Sequence, residues 1–188
     1  VFIDIDFLAT LSQQYLVDGL VEAVKMFMTS DAESFKFAQE NMQKILAKEP
    51  AVLKGLIRRA VQNKPDVVGR DEREGNERAV LNFGHTAGHA MELLSDFEMS
   101  HGHAVALGIL VESKLAMLAG HLSEDDFEAV RMMIASLGYD QKEILKFDLN
   151  KIEDAMEMDK KSKGNVIKYV VLSGLGKVLT EGGQFSHI

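Results

Sequence analysis

A mainly α-helical domain closed by a short β-hairpin is predicted for this chain on three observations. Helical periodicity recurs over most of the 188 residues, proline occurs only at Pro50 and Pro65, and a glycine turn near the C-terminus is flanked by β-favouring runs. Hydrophobic residues make up 46% and charged residues 27%, enough apolar side chains for one full core and too many for disorder.

In chain order, "VFID" reads as a short strand. "DGLVEAVKMFM" (18–28) offers Asp18 as an N-cap, with Leu20, Val24 and Phe27 at helical spacing. "SDAESFKFAQENMQKILAKE" (30–49) puts Phe35, Met42 and Leu46 on one face, and Pro50 closes it or caps the next helix. That helix, "AVLKGLIRRAVQNK", runs to Lys64, since the residue before a proline disfavours the α region. The polar segment "KPDVVGRDEREGNER" follows. "NFGHTAGHAMELL" has helical period, and "HAVALGILVESKLAMLAG" reads as a nearly all-apolar buried helix ending at Gly120. "SEDDFEAVRMMIASLG" opens with a capping-box pattern, Ser123 to Asp126, and stops at Gly138. "LNKIEDAMEMDKK" is a further short helix, and "NVIKYVVL" and "KVLTE" flank "SGLG" as a hairpin.

A formal charge of −8 argues against a nucleic-acid partner. With no cysteine, a transition metal would be held by nitrogen and oxygen ligands. No apolar run approaches the roughly 20 residues needed to span a bilayer, so no membrane role is expected. The chain opens on "VFIDIDFL" without an initiator Met or signal pattern, and is expected to be a cytoplasmic domain cut or split from a longer protein.

Four of the six histidines fall within residues 81–108. On a helix, His85 and His89 sit one turn apart, about 6 Å by rise, so both rings can reach one ion or substrate. Zincin peptidases need Glu directly after the first His; Thr86 stands there. Gly84 and Gly88 would cost roughly 1 kcal/mol each inside a helix, which points to close approach by a ligand or another backbone. Ser100 is a candidate N-cap, placing His101 at the positive end of a helix, where neutral imidazole is favoured. A histidine-only set is incomplete, because catalytic zinc commonly adds a carboxylate. Spacing alone does not say which one.

The blocks "GLVEAVK" and "KPDVVGRDEREGNERAVLNFGHTAGHAME", followed by "HGH", "DKK" and "VVLSGLG", resemble the 3-dehydroquinate synthase family of sugar-phosphate cyclases, over most of residues 1–188. The likeness is to that family's helical, metal-binding C-terminal domain, and implies that an N-terminal NAD-binding domain is absent from this chain. It implies metal ligation by Glu22, His85 and His101, with Zn2+ or another divalent ion such as Co2+. Substrate contacts would fall on Lys25, Lys64, Arg78, Asn82, His89 and one or both of Lys160 and Lys161, with Lys25, Asn82 and His89 also catalytic. The implied reaction converts 3-deoxy-D-arabino-heptulosonate 7-phosphate to 3-dehydroquinate and phosphate, in the shikimate pathway. It proceeds by NAD-dependent oxidation, phosphate elimination, re-reduction and ring closure. A doubly anionic substrate suits this set of cations on an acidic protein. The likeness further implies a homodimer at full length, and an isolated chain that binds metal without turning over.

His103 departs from the family pattern, which has Glu there; that Glu would be the carboxylate orienting a metal-bound imidazole. No glycine loop here has the strand–loop–helix setting of a dinucleotide site. Competing readings are a metal-dependent polyol or alcohol dehydrogenase, a cyclase with an inosose or valiolone product, and a non-catalytic metal-binding domain.

Overall fold

Among the described residues the chain forms seven α-helices: α1 (Gln13–Ser30), α2 (Ala32–Leu46), α3 (Pro50–Arg70), α4 (His85–Leu94), α5 (His101–Leu118), α6 (Glu124–Ser136) and α7 (Leu149–Ser162). In this computed structural model the described residues are 2–70, 77–96, 98–162, 169–181 and 184–185, excepting the side chains of 63–70, 77–79, 158–162, 181, 184 and 185. Single 3-10 segments span Ile5–Leu8, Glu77–Asn82 and Gln141–Lys146. Near the C-terminus β1 (Leu172–Gly174) and β2 (Lys177–Val178) form an antiparallel hairpin, followed by the pair β3 (Thr180–Glu181) and β4 (Gln184–Phe185). The mainly α fold with a terminal hairpin is therefore as the sequence predicts.

Local chemistry sets most boundaries. Ser12, Asp31, Ser100 and Ser123 each cap the helix that follows, their side chains accepting from backbone amides of the first turn. Lys48 takes a positive φ of 57° and ends the α2 turn, so Pro50 opens α3, where a missing amide costs nothing. The hairpin turn is tied to α1 by Gly176 N–H donating to the Met28 carbonyl at 2.8 Å.

Three local expectations are corrected. Residues 2–4 form no strand, and Asp4 instead caps the 3-10 turn that follows. Asp18 is no cap, because Ser12 starts the helix six residues earlier and Asp18 lies inside it. The α3 helix does not stop at Lys64 but runs through Pro65 to Arg70, so the lost proline hydrogen bond is outweighed there. Residues 71–76 lie outside the described set.

The core is centred on α5, which packs against α1, α4 and α6. Val21, Val24, Phe27, Phe83, Met91, Leu107, Ile109, Met133 and Ile134 are fully buried there. No described helix is long and apolar enough to cross a membrane.

Candidate metal centre and its surroundings

Three helices bring Glu22, His85 and His101 together. Glu22 lies in the middle of α1, His85 is the first residue of α4, and His101 is the first residue of α5. Close helix approach makes this possible. A Cβ built on Gly102, the neighbour of His101, would lie 2.4 Å from the Asp18 Cα, one turn before Glu22. A Cβ on Gly108 would lie 1.9 Å from the Gly84 carbonyl oxygen, and one on Gly88 would lie 2.9 Å from that of Ala104. Gly84 itself has φ 76°, a left-handed turn into α4 that suits glycine. The close approach expected of Gly84 and Gly88 is thus to the α5 backbone.

Glu22 Oε1 lies 3.6 Å from His85 Nε2 and 3.7 Å from His101 Nε2. Among the described residues, one ligand atom from each of the three falls within 4.8 Å of the others, a spacing that one divalent ion can bridge. Oε1 is buried and has no hydrogen-bond donor among the described residues, whereas Oε2 accepts from Lys25 Nζ at 2.7 Å. Lys25 is 3% exposed and also donates to the Leu81 carbonyl at 2.7 Å. Burial pushes the Glu22 carboxyl up, but the Lys25 ammonium and the two imidazoles outweigh it and hold Glu22 below the usual carboxylate range.

Burial, with Lys25 next, lowers the His85 imidazole to about 4, so it stands neutral at physiological pH. Its Nδ1 lies 3.1 Å from the Phe83 carbonyl. Donation there leaves the Nε2 lone pair facing Glu22. An anionic oxygen with no donor among the described residues, beside the neutral His85 imidazole and the His101 ring, is a donor set that fits Zn2+ or a similar ion.

His89 is exposed on the same α4 face, its ring centroid 5.2 Å from His85 and 5.9 Å from His101. With Glu92 and His101 it forms a second set of possible ligands. His101 is common to both: Nε2 faces Glu22, and Nδ1 lies 3.6 Å from Glu92 Oε2. Asn82 is exposed at the end of the 3-10 turn, three residues before His85. Lys64 and Arg78 fall on the α3 helix and that turn, and Lys160 and Lys161 on α7, which packs against α4; their side chains lie outside the described set.

His103 does not join the cluster. It stacks on Tyr139 with ring centroids 4.5 Å apart, and its Nε2 lies 3.4 Å from Glu143 Oε2. The Tyr139 hydroxyl donates to Asp18 Oδ1 at 3.1 Å, and Ser100 Oγ donates to the same oxygen at 2.8 Å. The carboxylate that faces His101 from behind is Glu92. Sequence reasoning missed it, although Glu92 lies seven residues after His85 and three after His89, on one helical face. It also missed Glu112, a lone acid inside the apolar α5 run.

A family profile described as 3-dehydroquinate synthase C-terminal matches residues 19–162. The chain is 40% identical over 179 residues to a 3-dehydroquinate synthase of Alkaliphilus metalliredigens, covering 95% of this chain and 50% of that protein. It is 36% identical over 179 residues to the enzyme of Thermodesulfovibrio yellowstonii, with the same coverage. This chain therefore spans about half the length of these curated relatives. Among solved structures it superposes on 2-epi-5-epi-valiolone synthase of Streptomyces hygroscopicus, bound to NAD+ and Zn2+. The TM-score is 0.83 at 24% identity, over 95% of this chain and 50% of that one. A 2-deoxy-scyllo-inosose synthase complexed with carbaglucose-6-phosphate, NAD+ and Co2+ gives a TM-score of 0.85 at 24% identity, over 98% and 52%.

Proposed function

This chain belongs to the 3-dehydroquinate synthase family, as its C-terminal domain, and on that premise we propose that it supplies the metal- and substrate-binding half of a 3-dehydroquinate synthase. The overall reaction would convert 3-deoxy-D-arabino-heptulosonate 7-phosphate to 3-dehydroquinate and phosphate. The observation that carries the reading is the buried Glu22 Oε1, without a donor among the described residues, facing His85 and His101.

Glu22, His85 and His101 would hold the ion, which supplies Lewis acidity and a template for neighbouring substrate hydroxyls. Lys25 keeps Glu22 ionised through its 2.7 Å contact, and offers positive charge at the floor of the site. His89 and Asn82, both exposed, would act on bound substrate, His89 accepting or returning a proton and Asn82 orienting it. Lys64, Arg78, Lys160 and Lys161 are proposed as the cations for the phosphate and carboxylate, on the family motif alone. NAD would be held by the other half of the enzyme, as suits a chain that spans half of relatives with NAD+ bound.

The test is complementation. This chain, mixed with an NAD-binding half from a relative plus NAD and zinc, is expected to release phosphate from the heptulosonate phosphate; alone it should bind zinc without turnover. Alcohol oxidation without phosphate release would favour the dehydrogenase reading. Zinc binding with no activity in the complemented pair would favour a non-catalytic domain.

A further inference from the structure

Behind the His85 helix lies a carboxyl that the proposed reaction does not use. Glu112 is 2% exposed, on the side of α5 that meets the start of α4. Its Oε2 accepts from Gly84 N–H at 2.9 Å. Its Oε1 accepts from Thr86 N–H at 3.2 Å and, more weakly, from Ala87 N–H at 3.5 Å. These amides belong to the opening turn of α4, where a helix has no internal acceptors to offer. Gly84 has no side chain to cap them, and no side-chain cap is present at that position. An outside anion often takes such a place. Here it is already filled by a side chain 26 residues away from Thr86 in sequence.

The same helix grips Gly84 from its other side. The Gly84 carbonyl oxygen lies where a Cβ on Gly108 would be, one turn before Glu112, while the Gly84 amide is held by Glu112 itself. Gly84 directly precedes His85, and α5 begins with His101. One helix thus carries one imidazole and fixes the backbone from which the other projects. Burial pushes the Glu112 carboxyl up to about 8, opposed by the three amides, which pull it down. A carboxyl oxygen can accept from an amide in either protonation state, more strongly as the carboxylate, so protonation loosens the grip without abolishing it.

We infer that Glu112 is a positioning residue for the metal centre: by closing the first turn of α4 from within the core, it sets where His85 stands relative to Glu22 and His101. This rests on the metal reading proposed above. It predicts that removing a group that never touches the ion weakens the ion's binding.

The experiment pairs two readouts on the whole chain, without added metal and with zinc alone. In Glu112→Ala, hydrogen exchange at the Gly84, Thr86 and Ala87 amides should speed up by roughly tenfold or more. Zinc affinity, measured by chelator competition, should fall about 10–100-fold, as it does for groups that orient ligands elsewhere. Glu112→Gln keeps one carbonyl acceptor and should lose less in both; should Glu112→Ala fail to fold, Glu112→Gln decides by the same readouts. A purely structural role would lower thermal stability and leave zinc affinity within about twofold, and that result overturns the inference. Unchanged amide exchange overturns it as well. Wild-type protein that binds no zinc would sink the metal reading instead, while the amide exchange still reports whether Glu112 holds α4.

Discussion

Two imidazoles on the first turn of α5, His101 and His103, meet opposite surroundings. Two residues along a helix is a rotation of about 200°, so they face different parts of the molecule. His101 stands between Glu22 at 3.7 Å and Glu92 at 3.6 Å, beside a carboxylate oxygen that lacks a donor among the described residues. His103 lies flat on Tyr139 and meets Glu143, whose carboxylate is also reached by Lys146 at 3.5 Å. Both have a carboxylate partner. Only one side converges several donors on a single point, and that convergence, not the presence of an imidazole, marks the candidate centre.

Substitutions can break this contrast in graded steps. The largest effect is expected from Glu22→Gln, which keeps size but removes the anionic ligand. Zinc affinity should drop by more than the roughly 100-fold upper range for groups that only orient ligands, read by chelator competition. Glu92→Gln should cost about 10–100-fold in the same assay, because it removes the carboxylate behind His101 Nδ1 without removing a ligand. An unchanged affinity would show that His101 needs no such support.

Glu112 sharpens the contrast through pH. Its folded value, about 8, lies above its ordinary 4.5. Its contribution to stability is therefore complete below 4.5 and is lost as pH climbs to about 8, with a limiting slope of about 1.4 kcal/mol per pH unit. Denaturant unfolding across that window should show a shallower decline in Glu112→Gln than in the native chain; parallel curves would refute the assignment. The smallest effect is expected from His103→Gln. Losing the stack on Tyr139 should cost about 1 kcal/mol in thermal unfolding, with zinc affinity within roughly twofold.

What the sequence made legible was local chemistry. Ser100 and Ser123 cap their helices, and helical structure ends short of Gly120 and Gly138, because those signals act over a few residues. Asp18 shows the limit of such signals. Its type suits a cap, but its carboxylate is taken by Ser100 and Tyr139 from 82 and 121 residues away. The grouping of Glu22 with His85 and His101 was available only through family resemblance, since spacing cannot bring residue 22 beside residue 101. Glu92 and Glu112 escaped for the same reason. Their partners lie on other elements, and the residue expected behind His101, at position 103, turns away from it.

The α5 helix is buried on nearly every side, with Val105, Ala106, Leu107, Ile109 and Leu110 at successive angles around its axis. Burial of apolar surface would therefore be satisfied at almost any rotation about that axis. What selects one rotation is the pair of contacts at Gly102 and Gly108, where no side chain would fit. One residue inserted between His101 and Gly108 would swing the imidazole by about 100° and shift it by about 1.5 Å, leaving the helix as greasy as before. The phase of the helix, and with it the aim of its first residue, is written in missing atoms.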